Sequence, residues 1–362
     1  MSGKVRVLVV DDSALARRML SDMLQQNPGI DVVGAAQDGS FVINKIKTLQ
    51  PDVITLDVEM RTKGGLEVLP EIVQNYRIPV IMVSAQTKRG AQATLKALEL
   101  GALDFVTKPQ AGDMRSFMEI GDVLAQKILA VSRSARRLPL RRVPPPASTR
   151  PPSILRRPLA SSSPSRVDVI ALGASTGGTE AIKQVLMQLP EQIPGIVIVQ
   201  HMPAGFTQAF AQRLDSLCRI AVKEAEEGDE ILPGRALIAP GSHHMEVVRV
   251  GVKRKVRLLD TPPVNRHRPS VDVLFFSVAE QIGRRAMGVL LTGMGADGAD
   301  GMRFLKDQGA FTVAQDEETC VVFGMPKEAV KRDGVCQLLP LQQIPGILVN
   351  ATLSSPGLSK MA

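Results

Sequence analysis

A serine set among small residues, Gly173-Ala174-Ser175-Thr176-Gly177-Gly178, follows the apolar run Val167–Gly173. Gly173, Ser175 and Gly177 satisfy G-x-S-x-G, the pattern of a nucleophile exposed on a sharp strand-to-helix turn. The helix that follows would offer free N–H groups and a positive dipole end to a developing oxyanion. A serine nucleophile needs a base. The chain has four histidines. His201 directly follows the run Ile196–Gln200 and so reaches the same sheet edge as Ser175. His243 and His244 fall in a loop after Ala236–Ala239 and are weaker candidates. His267 stands among arginines and is expected at the surface. A carboxylate should orient the imidazole and stabilise its cation. Asp297, in LLTGMGADGADG, comes soonest after the run Gly288–Thr292, whereas Asp300 belongs with the next helix. The order Ser175, His201, Asp297 is not that of ordinary α/β-hydrolases, but a triad is defined by its geometry.

The first half of the chain gathers carboxylates instead. Asp11, Asp12 and Asp57 each end an apolar run, Ser84 ends another, and Lys108 precedes Pro109 after a fifth. In an open parallel sheet those ends line one crevice. Carboxylates crowded there repel one another unless a hard cation joins them, and Mg²⁺ suits oxygen donors. A carboxylate beside Mg²⁺ and lysine can attack phosphorus, because both cations neutralise charge on the transferred group. Asp57, central in the sheet, is the expected nucleophile, with Ser84 and Lys108 meeting the phosphoryl oxygens.

Both constellations need strand ends, and the patterning supplies them. Runs at Val5–Val10, Asp31–Ala35, Val53–Asp57, Pro79–Ser84 and Asp104–Thr107 alternate with amphipathic segments such as Ser13–Gln26 and Gly90–Leu100. This predicts a five-stranded parallel, flavodoxin-like sheet covered on both faces. The alternation resumes at Val167–Gly173, Ile196–Gln200, Ala236–Ala239, Gly288–Thr292 and Phe311–Ala314. Helices are expected at Gly178–Leu189, Thr207–Leu217, Val271–Ile282 and Asp300–Gln308, and an antiparallel hairpin at Met245–Leu259. The second unit is therefore read as a doubly wound, mostly parallel α/β domain with a small hairpin. Between them, Ser132–Arg166 is rich in Pro, Arg and Ser and too poor in apolar groups to form a core. The expected division is 1–131, a linker at 132–166, and 167–355.

The 362 residues carry a net charge of +8, which at first suggests nucleic acid. Nine arginines and no acidic residue lie between Arg133 and Arg166, and without them the chain is near neutral. Basicity is thus a property of the linker, and no recognition-helix pattern points to a DNA-binding regulator. No apolar run reaches membrane-span length, the N-terminus lacks a signal peptide's apolar stretch, and Cys218, Cys320 and Cys336 have no metal-binding spacing. A cytoplasmic protein is expected.

On G-x-S-x-G alone, a phosphate-cradling loop competes with a hydrolase. No acidic residue ends the second strand of that unit, where a ribose-binding carboxylate would sit. His201 stands there instead, which favours the hydrolase. A regulator whose second unit binds a nucleotide or partner without catalysis is the alternative.

Val9-Val10-Asp11-Asp12-Ser13, Asp57 within TLDVEM, Val83-Ser84-Ala85 and Thr107-Lys108-Pro109 resemble a response-regulator receiver. The resemblance implies phosphorylation of Asp57 by a histidine kinase, Mg²⁺ held by Asp11, Asp12, Asp57 and the backbone near Glu59, and Phe105 as the aromatic that follows Ser84. Arg61 and Gly64-Gly65 depart from the usual Pro and Asp-Gly of that loop. Gly-Ala-Ser175-Thr-Gly-Gly, Gln200-His201-Met-Pro, Ala239-Pro240-Gly241 and Thr292-Gly-Met294-Gly-x-Asp297-Gly resemble the chemotaxis response-regulator protein-glutamate methylesterases. This second resemblance implies a triad of Ser175, His201 and Asp297, with Thr176 and the Met294 N–H near the oxyanion. It implies hydrolysis of glutamate γ-methyl esters on methyl-accepting chemotaxis receptors with methanol release, and deamidation of receptor glutamines. It implies no cofactor for the esterase, no nucleic acid and no membrane insertion. The unphosphorylated receiver is then expected to pack over the Ser175 crevice and to release it on phosphorylation.

Overall fold

The computed structural model describes residues 3–85, 87–108, 114–135 and 167–353. Most of the stretch assigned to the linker, 136–166, and the C-terminal boundary at 355 lie outside the described residues.

The first unit runs β1 (Val5–Val10), α1 (Ala14–Gln25), β2 (Ile30–Ala36), α2 (Gly39–Leu49), β3 (Val53–Asp57), α3 (Gly65–Glu71), β4 (Val80–Ala85), α4 (Lys88–Glu99), β5 (Asp104–Lys108) and α5 (Met114–Ala135). Its strands pair in parallel in the order β2-β1-β3-β4-β5. Every residue of β3 is buried, as a strand covered on both faces requires. Short polar residues start the helices. The Ser13 hydroxyl accepts from the Ala16 N–H, the Asp38 carboxylate from the Ser40 N–H and the Thr87 hydroxyl from the Gly90 N–H. Helix α5 continues through residues 132–135, so helix occupies the start of the segment read as linker. An apolar face in register with Val131 outweighs the local Ser and Arg content.

The second unit runs β6 (Val169–Ala174), α6 (Gly178–Leu186), β7 (Gly195–Gln200), α7 (Phe206–Asp215), β8 (Ala221–Glu224), β9 (Arg235–Ile238), β10 (His244–Val250), β11 (Lys253–Leu259), α8 (Val271–Ile282), β12 (Ala286–Leu290), α9 (Ala299–Asp307), β13 (Phe311–Gln315), α10 (Met325–Lys331), β14 (Gln337–Leu339) and α11 (Ile344–Leu353). Strands β14-β13-β12-β6-β7-β9-β8 form one sheet, with every pairing parallel. The antiparallel pair β10–β11 stands apart from it. The edge strands β8 and β14 were not expected from sequence. Each is three or four residues long and only partly buried, so neither carries a recognisable apolar run.

The two units share packing. One buried apolar cluster runs from Leu95, Leu98 and Phe105 of the first into Phe206, Phe210 and Leu214 of the second. At its centre the Phe105 and Phe206 rings stack with centroids 4.8 Å apart. The ion pair Glu99–Arg213, at 2.5 Å, flanks it.

Candidate active site and phosphoacceptor pocket

Strand register brings Ser175 and His201 together. Ala174 of β6 pairs with Gln200 of β7, so the next residue of each chain segment, Ser175 and His201, emerges from adjacent strand ends. The His201 N–H donates to the Ala174 carbonyl at 3.1 Å, and the Gln200 side-chain amide donates to the Ser175 carbonyl at 2.9 Å. On the other side, the Ser175 N–H donates to the Thr292 carbonyl after β12 at 3.0 Å. The chain turns at Gly177 with φ 77°, a left-handed conformation that a side chain would strain, and α6 begins. Gly293 is needed for a different reason. A Cβ there would lie 2.9 Å from the Ser175 Cβ and 2.2 Å from the Met325 sulfur. Met294, the expected N–H donor, is the next residue of this loop.

Asp297 reaches back from the same loop to accept from His201. Its Oδ2 lies 2.8 Å from His201 Nε2. The other ring nitrogen, Nδ1, is buried with no protein partner. One nitrogen is thus engaged by the carboxylate, and the other is left free of hydrogen bonds. Burial opposes the charge of Asp297. Hydrogen bonds from His201, from the Asn265 amide at 2.8 Å and from the Val271 N–H at 2.7 Å outweigh it and hold the carboxyl well below its usual range. The Ser270 hydroxyl adds a further donor at 2.7 Å. Asp297 is therefore an ionised acceptor saturated by the N-terminus of α8 and the turn before it.

Several of these partners were not foreseen. Asn265, Ser270 and the α8 N-terminus came into the site from a segment whose sequence suggested only a loop and a helix start. Ser270 before an apolar run does carry an N-cap signature. His267, expected at the surface, is half-buried and lies stacked on His201 with ring centroids 3.7 Å apart. His244 is not in a loop but opens β10, fully buried. It bonds the Pro262 carbonyl through Nε2 and accepts the Ser270 N–H through Nδ1. His243 pairs with Ser242, and Asp300 lies on α9 as expected.

Thr176 is beside Ser175, but its hydroxyl points across the domain contact. It donates to Asp104 Oδ2 of β5 at 2.5 Å, and Lys127 of α5 meets the same oxygen at 2.6 Å.

In the first unit, one oxygen each from Asp11, Asp12 and Asp57 lies within 4.8 Å of the others, a hard-oxygen donor set that fits Mg²⁺. Lys108 bridges Asp57 at 2.6 Å and Asp11 at 2.8 Å. Burial pushes the Asp57 carboxyl up to about 6 against the pull of Lys108. Burial works against the Lys108 charge, but Asp57 and Asp11 hold its pKa above the usual lysine value. The Glu59 N–H donates to Asp57 Oδ1 at 3.3 Å, while the Glu59 side chain pairs with Arg89. Arg61 lies 3.7 Å from Asp12. Ser84 is buried, and its hydroxyl donates to the Gly90 carbonyl at 3.2 Å.

Known proteins match both units. The family "response regulator receiver domain" matches residues 7–118, and the family "CheB methylesterase" matches residues 170–348. The chain is 52% identical to protein-glutamate methylesterase/protein-glutamine glutaminase 2 of Cupriavidus pinatubonensis, over 95% of this chain and 94% of that one. The chain belongs to the CheB methylesterase family. Another member, the protein-glutamate methylesterase/protein-glutamine glutaminase of Salmonella typhimurium, is 49% identical over 94% of this chain and 95% of its own. Among solved structures, the CheB methylesterase catalytic domain of Thermotoga maritima matches with a TM-score of 0.50 and 39% identity, covering 51% of this chain and 98% of that one. The family membership accounts for the order of the two units, a phosphorylatable receiver followed by a hydrolase.

Proposed function

We propose that this chain hydrolyses glutamate γ-methyl esters on methyl-accepting chemotaxis receptors, releases methanol, deamidates receptor glutamines, and does so under control of Asp57 phosphorylation. The observation that carries the reading is the His201 ring, with Nε2 on ionised Asp297 and Nδ1 buried and unpartnered, on a strand end adjacent to that of Ser175.

In this reading Ser175 Oγ attacks the side-chain carbonyl carbon while His201 takes its proton. Donors at Thr176 and the Met294 N–H meet the oxyanion. The C–O bond to the methoxy group breaks as His201 returns the proton to it, giving methanol and an acyl-serine. Water, deprotonated by the same imidazole, attacks the acyl carbon and frees glutamate. Asp297 stabilises the imidazolium in both halves. For a glutamine the leaving group is ammonia, a poorer one.

In the receiver, Asp57 takes the phosphoryl group from the phosphohistidine of a histidine kinase. Asp11, Asp12, Asp57 and the backbone near Glu59 would hold Mg²⁺, which when bound neutralises charge on the transferred group. Lys108 and Ser84 meet the phosphoryl oxygens. Strand β5 supports a direct route to the esterase. Lys108 at one end touches Asp57, Phe105 packs on Phe206, and Asp104 at the other end accepts the Thr176 hydroxyl. The strand spans roughly 13 Å at the usual rise per residue. Docked in this way, the receiver keeps an oxyanion donor turned away from Ser175, and phosphorylation frees it. A division into a receiver ending with α5, a Pro/Arg/Ser-rich connection up to 166 and a catalytic unit at 167–355 is part of the proposal. It is supported by the separate sheets and by the Pro/Arg/Ser-rich composition between them. No described helix is long and apolar enough to cross a membrane, and a kinase phosphodonor and receptor cytoplasmic helices as substrate favour the cytoplasm.

The test is methanol release from methylated receptor membranes, with and without a small phosphodonor. Ser175→Ala abolishes release with folding intact, and Asp57→Asn keeps basal release but loses the response to phosphodonor. Release by Ser175→Ala at the parental rate refutes the triad, and a normal phosphodonor response in Asp57→Asn refutes the switch.

A further inference from the structure

We infer that the turn Val264–His267 is a positioning device for the catalytic base, with His267 as the residue that fixes the plane of the His201 ring. The inference rests on the reading of Ser175, His201 and Asp297 as the triad.

His201 has a single side-chain hydrogen bond, from Nε2 to Asp297 at 2.8 Å, and its Nδ1 has no partner. One bond fixes a point on the imidazole but leaves the ring free to pivot about the N···O direction. A pivot of this kind displaces Nδ1, the nitrogen that takes the serine proton in the proposed reaction. The His267 ring lies parallel to it, 3.7 Å between centroids and 11° between planes, and blocks that motion on one face. The contact is a close, near-parallel stack, tighter than the usual aromatic separation of about 4.5–7 Å.

His267 is itself held by a tight turn. The Val264 N–H donates to the His267 carbonyl at 3.0 Å, and the His267 N–H donates to the Val264 carbonyl at 2.8 Å. Two residues lie between them, Asn265 at φ 52° and Arg266 at φ 68°. Left-handed conformations at both central positions are the signature of the tightest two-residue turns, and Asn tolerates them better than most residues. The turn persists because its other contacts determine it. The Asn265 amide donates to Asp297 Oδ1 at 2.8 Å and to Asp272 Oδ2 at 2.7 Å. The same four residues therefore orient the carboxylate through Asn265 and the imidazole through His267.

The charge state suits this role. His267 faces His201, Asp297, Lys127 and Arg266, and burial with the neighbouring imidazole pushes its pKa down to about 3. It is neutral at physiological pH. When His201 takes the serine proton, the cation forms against a neutral aromatic face, which attracts it weakly rather than repelling it.

The experiment uses the full chain with phosphodonor and methylated receptor membranes. His267→Ala lowers kcat by about tenfold to a hundredfold, the effect of a misaligned catalytic group, with KM unchanged. His267→Phe, which restores a flat ring, recovers most of the parental kcat. Parental kcat in His267→Ala overturns the inference, as does a His267→Phe variant as slow as His267→Ala. If His267→Ala does not fold, His267→Gln, of similar reach but without a ring, takes its place with the same two outcomes. Ser175→Ala serves as the control on the underlying reading. Release surviving there overturns the triad itself, whatever the His267 variants do.

Discussion

Around the His201 ring, two stacked histidines have opposite surroundings. His201 keeps an ionised carboxylate on Nε2 and an unpartnered Nδ1. His267 is pressed against it without a carboxylate of its own and is held neutral, its pKa down to about 3. This has a consequence for stability. As pH falls through the ordinary histidine value near 6.5, the unfolded chain takes up a proton at His267 that the folded chain refuses until about 3. The stability that His267 contributes is therefore complete above that upper value and is lost progressively down to the lower one. Denaturant titrations of the parent and His267→Phe at pH 7 and pH 4.5 check this. The parent loses more stability on acidification than the variant, and equal losses reject the assignment. Sequence reasoning singled out Ser175, His201 and Asp297 because each follows an apolar run directly or within a glycine-rich loop. It misjudged His267, since adjacent arginines say nothing about which way a turn folds.

At the level of elements, the site depends on loops that pass unusually close to one another. The Gly293 loop after β12 lies against both Ser175 and α10, with a virtual Cβ 2.2 Å from the Met325 sulfur and 2.9 Å from the Ser175 Cβ. Gly293→Ala should therefore displace the loop that carries Met294 and Asp297. We expect kcat to fall by about tenfold or more, as for other displaced oxyanion or orienting groups, with the secondary-structure content kept. Activity at the parental level would show that the loop relaxes without cost. The helix α8 has a matching role, because its first N–H groups converge on Asp297. Its extent, Val271–Ile282, was readable from a Ser cap and a strong apolar run. Its role as the anion-binding end for Asp297 was not, because that depends on where the helix sits relative to a loop some 26 residues away in sequence. Strands β8 and β14 escaped for a simpler reason. An edge strand of three or four residues gains its pairing from the neighbouring strand, not from its own apolar content.

For the whole molecule, the proposed control runs through the contact between the units. Its apolar part, Leu95, Leu98 and Phe105 against Phe206, Phe210 and Leu214, supplies burial. Its polar contacts are a buried one, Asp104 with Thr176, and a partly exposed one, Glu99 with Arg213. The guanidinium of that second pair is about half exposed, 47% against 20% for the carboxylate, so its attraction is modest and screened by salt. A like-charge pair there replaces that attraction with repulsion across the contact. Glu99→Arg should raise methanol release in the absence of phosphodonor, and Glu99→Arg combined with Arg213→Glu should bring it back toward the parental rate. Unchanged basal release in the single variant would show that the docked arrangement does not limit activity.

The sequence by itself determined the two parallel sheets, the carboxylate cluster, and the order Ser175, His201, Asp297 on strand ends. Burial on both faces forces near-continuous apolar runs, and functional groups in such sheets can stand only where the runs stop. Tertiary structure alone decided which nitrogen of His201 meets Asp297, that His267 and Asn265 enclose the pair, and that Thr176 bonds Asp104. Each of these is a contact between residues 30 to 100 positions apart in order of magnitude, made by short polar groups that leave no periodic trace in the chain. Strand periodicity is a local property of burial, whereas the direction of a side chain across a turn or a domain contact is fixed only when the whole fold closes around it.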